Sequence, residues 1–344
     1  MSREHIHFEN SAEVLCFHAL LIKTMLYEIA DEKIFFIVRI LYRSTMSEGR
    51  DWSEYNEHLV RRGELYLALD FIDSWNEELS KMNYCKRGHP FEYPESLIRF
   101  LAVIYYVMRV PYRALEGILR SLNKYIPALK VADYSTIAKR IKQMKIPDEW
   151  LKYGDKGDVA VAMDSTGIKV TNRGDWIRKK WKVRRGWLKV HISVAVDKRR
   201  LLAIKVTDEK TADSKMFDEL LDESKENMQD GGRIKKVYLD GAYDSKRIFN
   251  RLDEEGIEPV VRVRKDASTR ARGSPKRAEV VRAVKELGYK EWARKTGYGY
   301  RWIVESVISA VKRMFGETVR AHKWDQMVKE VIFRFIFYNV VISI

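Results

Sequence analysis

The chain has 344 residues, 46% of them hydrophobic, and carries 64 Lys+Arg against 49 Asp+Glu, a net charge of +15. This apolar content excludes wholesale disorder, and the length allows one large domain or two of ordinary size. A surface so positive attracts polyanions, with nucleic acid the commonest and an anionic membrane the rival.

Residues 1–45 read as a helical extension of unassigned role or as upstream sequence translated ahead of a start at Met46; they lack a basic start and a small-residue cleavage site, so no signal peptide is expected. The apolar runs at 35–42 and 331–344 fall short of the ~20 residues a membrane span needs, and Arg334 interrupts the second, so both read as core helices and no membrane is expected. Cys16 and Cys85 are too few for a Cys-built zinc site or a disulfide framework, and they fit a reduced, cytoplasmic compartment. The seven histidines show no paired ligand spacing.

Residues 46–150 read as a helical region. Leu97, Ile98, Leu101, Ile104 and Tyr105 recur at three- and four-residue spacing, and Leu115, Ile118, Leu119 and Leu122 follow Pro111. Asp133 or Ser135 is placed to cap a third helix that carries Lys139 and Arg140. Three short helices, the last one basic, suit a helix-turn-helix DNA-binding unit or a plain helical bundle. The composition changes near 147–157.

From Asp158 the period becomes two. Val159, Val161 and Met163 alternate with alanines, as in a buried strand. Strands are expected at 189–196, 201–206, 234–239 and 258–263, with helices at 213–223 and 245–255. The order β-β-β-α-β-α-β predicts an α/β fold over 155–344: a mixed five-stranded sheet flanked by helices, the order of ribonuclease-H-like nucleases.

The first and fourth of these strands deliver Asp164 and Asp240, each followed by small residues including Gly167 and Gly241, which would let an anionic backbone approach. Each aspartate alone is equally a cap for the following turn; on neighbouring strands the two make a metal site. Stepping about 100° per residue from Arg301 puts Glu305 near 40°, Lys312 near 20° and Tyr298 near 60°, opposite a core face of Ile303, Val304, Val307, Ile308, Val311, Met314 and Phe315. By itself that stripe is also readable as a solvated face with an ordinary Arg–Glu pair.

The spacing Tyr298-x₂-Arg301-x₃-Glu305-x₆-Lys312 matches the Tyr-Arg-Glu-Lys motif of DDE transposases from bacterial and archaeal insertion sequences. Asp164-Ser165-Thr166-Gly167 and Asp240-Gly241-Ala242-Tyr243-Asp244 resemble the first and second aspartate motifs of that family, and the likeness runs over residues 51–344. The resemblance implies a DNA transposase with Asp164, Asp240 and Glu305 as catalytic and metal-binding carboxylates. Phosphodiester transfer needs charge stabilised on both the attacking and leaving oxygens, which suits two Mg²⁺ ions, with Mn²⁺ as substitute. Asp164 is expected to bridge the ions, Asp240 to hold one and Glu305 the other.

Arg301 and Lys312 are expected to grip DNA phosphates and Tyr298 to stack on a base or bond a phosphate. Residues 169–189 hold nine Lys/Arg against one Asp, interleaved with Trp176, Trp181 and Trp187. Of these, Lys179, Lys180, Lys182, Arg184 and Arg185 join Lys139 and Arg140 as DNA-binding candidates. A second basic stretch, 262–277, holds seven against one and is left open between DNA and solvent. Asp244 reads as a helix cap, and His191 as a packed strand residue. The implied partners are double-stranded DNA, as terminal inverted repeats and target, and further copies of the chain in a synaptic dimer or higher multimer. The alternatives are a ribonuclease-H-fold endonuclease or resolvase without strand transfer, and a domesticated DNA-binding regulator.

Overall fold

The computed structural model describes residues 51–154, 156–170, 186–229 and 231–343. The extension 1–45 and the candidates Lys179, Lys180, Lys182, Arg184 and Arg185 lie outside the described residues. The chain divides into two units at Val60/Arg61, a point inside the first described helix, α1 (Trp52–Tyr66); all later elements belong to the second unit.

The helical region continues with α2 (Trp75–Asn83), α3 (Glu95–Tyr106), α4 (Tyr112–Asn123) and α5 (Tyr134–Gln143), so the three helices expected in 94–144 are present. α3 buries eight of its twelve residues, Leu97, Ile98 and Leu101 among them, as a core helix does. α4 and α5 bury only the narrow stripes Leu115/Leu119 and Ile137/Ile141. Asp133 caps α5, its Oδ1 accepting from the N–H groups of Ser135 at 2.8 Å and Thr136 at 3.1 Å. Asp133→Ala removes both acceptors, and differential scanning calorimetry should record a melting point lowered by roughly 2–4 °C.

Beyond Gly157 the chain turns to strands. β1 (Gly157–Lys169), β2 (Trp187–Ala195) and β3 (Arg200–Asp208) form an antiparallel meander. β4 (Gly232–Leu239) and β5 (Glu258–Val261) add in parallel on the other side of β1, giving the order β3-β2-β1-β4-β5. α6 (Phe217–Glu226) joins β3 to β4 and α7 (Lys246–Glu254) joins β4 to β5, the long crossovers that parallel strands require. The expected element order is thus the observed one. Most bounds shift by one to three residues; beyond that, the 213–223 helix begins as a 3₁₀ turn, Asp213–Lys215, and β5 ends at Val261 because its partner strand ends at Leu239.

The chain closes with α8 (Pro275–Leu287), α9 (Tyr289–Thr296), a 3₁₀ turn at Tyr298–Arg301, α10 (Trp302–Phe315) and α11 (Trp324–Ile342). α10 packs on β1 and β2 through Ile303, Val304, Val307 and Val311. α11 packs on both β3 and α3, so helices and sheet share one core within the second unit. The composition change at 147–157 marks a change of element type. Arg334, which interrupts the last apolar run, is 3% exposed and ion-paired with Glu330 one turn earlier. Among the described residues no helix is long and apolar enough to cross a membrane.

Candidate active site

Asp164 is not at the end of its strand. β1 runs on to Lys169 because β2 pairs with it as far as Lys169↔Trp187. What opens the position is β4, whose parallel pairing with β1 stops at Ala162↔Tyr238. Asp164 and Asp240 each lie two residues past that pair, so the register sets them side by side where β4 leaves the sheet. This is the carboxyl end of the parallel strands, where open α/β sheets place their sites.

The Ser165 N–H donates to Asp164 Oδ1 at 2.7 Å, and the Ala242 N–H donates to Asp240 Oδ1 at 2.9 Å. Asp240 therefore does cap the turn after its strand while keeping its second oxygen for the site. Arg301 brings in the third acid: Nη1 lies 3.3 Å from Asp164 Oδ2, and Nη2 donates to Glu305 Oε1. Burial pushes the Asp164 carboxyl up to about 6; the Ser165 N–H and Arg301 pull against this, and Asp240 and Glu305 add to it. A carboxylate that resists ionisation beside two others is a place where added positive charge is favoured.

Two clefts open here. One, of ≈330 Å³, is lined by Asp240, Arg262, Arg264, Lys265, Tyr298 and Arg301 among others. The other, of ≈310 Å³, includes Asp164, Glu305, Lys312, Arg313 and Glu317. Burial lowers the pKa of Lys312, with Lys169 adding to the effect and Glu317 opposing it. Arg262, Arg264 and Lys265 belong to the basic stretch left open between DNA and solvent; the signal was their place just after β5, the neighbour of β4.

Tyr298 does not offer its ring to a base. It sits in the turn before α10, 8% exposed, packed by Trp292 at 5.4 Å and Tyr289 at 6.2 Å. Burial pushes its hydroxyl up to about 12, Arg301 opposing and Tyr289 and Asp240 adding, so the phenol stays protonated at the edge of the first cleft. Arg140 is also committed elsewhere: its guanidinium donates to Glu95 at 3.0 Å and to the Tyr93 carbonyl at 3.2 Å, and lies over the Phe91 ring. Lys139 is exposed on α5.

Asp244 is not the cap of α7. Ser245 accepts from the Ile248 N–H instead, while the fully buried Asp244 carboxylate takes a two-pronged pair from Arg277 at 2.6 and 2.9 Å and the Arg264 N–H at 3.2 Å. It thereby ties the 262–277 stretch to the turn after Asp240. Gly167 leaves room for a protein ring and not for DNA, since a Cβ there would stand 2.6 Å from Trp187 Cε3.

A polar cluster behind the site had no local signature in the chain. His191, fully buried as expected of a packed strand residue, pairs across the sheet with Ser165. Its Nδ1 lies 3.1 Å from Asp213 Oδ1, which Lys189 Nζ also approaches at 2.9 Å. Burial would raise the Asp213 carboxyl, yet hydrogen bonds from His191, Lys189 and Ser165 hold it well below the usual range. The buried Tyr243 hydroxyl is pushed up by desolvation and by Asp213, Asp164 and Asp240. The cluster thus reaches Ser165, the residue after Asp164.

The chain is thus an α/β protein, a mixed five-stranded sheet flanked by helices with acids gathered where its central parallel strands end. The chain belongs to the transposase DDE-domain family: the model "Transposase DDE domain" matches residues 155–340, more than half of the chain, and a second model of that description matches 60–173. A curated relative, an uncharacterized protein of Aquifex aeolicus (strain VF5), is 24% identical over 276 residues, covering 75% of this chain and 80% of its own. The cryo-EM structure of a piggyBac transposase synaptic complex with hairpin DNA is similar at a TM-score of 0.38 and 10% identity, over 81% of this chain and 73% of that one, too distant a likeness to carry an argument.

Proposed function

We propose that this transposase binds the terminal inverted repeats of its insertion sequence, hydrolyses a phosphodiester at each end and joins the freed 3′-OH to target DNA. The observation that carries this reading is Arg301 held between Asp164 and Glu305, beside Asp240 on the adjoining strand. Acid donors and a phosphate-gripping cation then share one opening.

The donor set suits a hard divalent cation, because all its ligands are carboxylate oxygens and positive charge offsets the burial, and then the neighbouring acids, that raise Asp164. Among the described residues no group of three or more His, Cys, Asp or Glu side chains is placed to hold a metal ion. Mg²⁺ is commonly held by one or two carboxylates with water and substrate oxygens completing its shell. Asp164, Asp240 and Glu305 are the residues that would hold the ions, Asp164 lying between the other two. Two Mg²⁺ ions, or Mn²⁺ in their place, supply activation of the attacking oxygen and stabilisation of the leaving one when bound.

The residues of the chain supply grip and alignment. Arg301, released from the two acids, presents a planar fork to non-bridging phosphate oxygens, and Lys312 adds a point charge from the second cleft. The protonated Tyr298 hydroxyl is a donor on the Asp240 side. In the first step a P–O bond forms to water and the P–O3′ bond breaks, leaving a 3′-OH. In the second, that 3′ oxygen bonds to a target phosphorus and expels the target's own 3′ oxygen. Residues 46–150 are proposed as the DNA-binding region and 155–344 as the catalytic domain, acting in the cytoplasm on the nucleoid as a dimer or higher multimer that holds two ends.

The test is a cleavage and joining assay on labelled end duplex with Mg²⁺ or EDTA. Wild type should cleave and join only with Mg²⁺. Glu305→Ala should lose roughly 10³-fold or more in rate while still retarding the duplex in a gel. Activity surviving in Glu305→Ala or in EDTA sinks the assignment, and cleavage without joining makes the protein a nuclease.

A further inference from the structure

A second concave site lies where the segment after α10 meets the helical region. This pocket of ≈290 Å³ is lined by Tyr105, Tyr112, Lys142, Arg320, His322 and Lys323 among others, with no acidic side chain in its wall. The Tyr105 and Tyr112 rings stack at 4.2 Å and 11°, and the Arg320 guanidinium lies over Tyr105 at 5.5 Å. With that ring already engaged twice, recognition here rests on cations and hydroxyl donors and not on base stacking. Burial, then a hydrogen bond with Tyr105, holds the Tyr112 hydroxyl protonated far above the working range.

The pocket is held in shape by a pair of charges that are expensive to bury. Glu330 and Arg334, 1% and 3% exposed, pair within α11. Glu330 accepts the Arg320 N–H at 3.0 and 3.1 Å and the Ala321 N–H at 3.0 Å, while Arg334 donates to the carbonyls of Thr318 at 2.8 Å and Tyr106 at 3.2 Å. Arg320 itself donates to the Arg109 carbonyl. The segment that carries Arg320, His322 and Lys323 is thereby fastened to the end of α3, and cations that repel one another are kept together. A site so built is completed by a polyanion.

The same segment is fastened to the catalytic strand. The Lys169 N–H donates to the Glu317 carbonyl at 2.9 Å, and the Val319 N–H to the Lys169 carbonyl at 3.0 Å. Five residues of β1 separate Lys169 from Asp164, ~17 Å of strand.

We propose that this pocket is a second DNA contact, seating a backbone phosphate of the duplex apart from the phosphate at the carboxylates. The inference rests on the transposase reading above. It assigns Lys142, Arg320, His322 and Lys323 to that phosphate and to its neighbour on the same strand.

The exposed lysines allow a test with little risk to the fold. Full-length wild type and Lys142→Ala/Lys323→Ala are titrated, in EDTA, with a fluorescein-labelled duplex of the element end over a range of salt. The double variant should bind about 10-fold more weakly at 0.1 M salt, and its log–log salt slope should fall by about 2. Phosphate-ethylation interference should map a contact separate from the cleaved bond in wild type and lose it in the variant. Unchanged slope and interference in the variant overturn the pocket assignment, as does tighter binding of a single strand than of duplex by wild type. A wild type that binds no end duplex overturns the transposase reading instead.

Discussion

Asp164→Asn should give a protein that is more stable than wild type and catalytically dead. The wild-type carboxyl is pushed up to about 6 by burial, with Asp240 and Glu305 adding to the effect. In an unfolded chain an aspartate titrates near 3.9. Above both values the folded state holds a charge that its surroundings resist, at a cost of ~3 kcal/mol for a carboxyl raised this far. The amide removes that charge but also leaves Arg301 with one partner in place of two, so the net gain should be about 1–2 kcal/mol in urea denaturation with EDTA present. The same change removes a carboxylate proposed to hold the ions, and end cleavage should fall roughly 10³-fold or more. A variant that is both weaker in urea and inactive would point to a structural role for the charge.

The pH dependence follows with a definite sign. Between about pH 4 and 6 folded Asp164 keeps a proton that the unfolded chain has lost, so this group's contribution to stability falls as pH rises through that window. Paired acids such as Asp158, held low by Arg233 and Lys235, act in the opposite direction at lower pH. The difference between wild type and Asp164→Asn isolates the first effect. Their stabilities should converge toward pH 4 and separate by pH 7. Added Mg²⁺ should raise the midpoint of wild type at pH 7 and leave the variant nearly unmoved.

What the sequence made legible, and what it hid, divides along the range of the interactions. Val159, Val161 and Met163 declared a buried strand, and the Ile303–Phe315 stripe declared the core face of α10, because periodicity is a local property. Glu305 accordingly lies exposed on α10, away from its buried stripe. Asp164 was expected at the end of its strand, but the opening beside it comes from the end of β4, some 75 residues on by the numbering, while its own strand continues. Tyr298 escaped the helical projection because it sits in a 3₁₀ turn, where stepping 100° per residue does not apply.

The remaining differences are long-range pairings. Arg140 looked like a DNA contact until Glu95, distant in sequence, claimed it. The Asp213–His191–Lys189 cluster depends on the β1–β2 register and on a turn after β3, none of which a local pattern encodes. Arg334 looked like an interruption in an apolar run. Its partner was visible at i−4, but nothing local showed that both charges are buried or that together they hold a loop against α3.

Glu330→Ala should therefore be among the most damaging single changes in the chain. It leaves the buried Arg334 guanidinium without its counter-charge and strips the acceptor from the N–H groups of Arg320 and Ala321. Burial already lowers the Arg334 pKa, with Glu330 the chief group opposing that shift, so the cation has little else to lean on. The expected loss is about 3–5 kcal/mol in urea denaturation at pH 7. Replacing both partners with apolar residues, Glu330→Leu/Arg334→Met, should recover much of that loss, since an apolar pair costs less to bury than a single charge. DNA binding should not recover in parallel. The double variant restores the packing of α11 yet provides no acceptor for the Arg320 and Ala321 N–H groups, so the 318–321 segment stays loose and Arg320 loses its fixed place over Tyr105. Stability regained while duplex affinity stays several-fold below wild type would show that the buried pair is kept to shape the pocket; affinity returning in step with stability would reduce it to a folding contact.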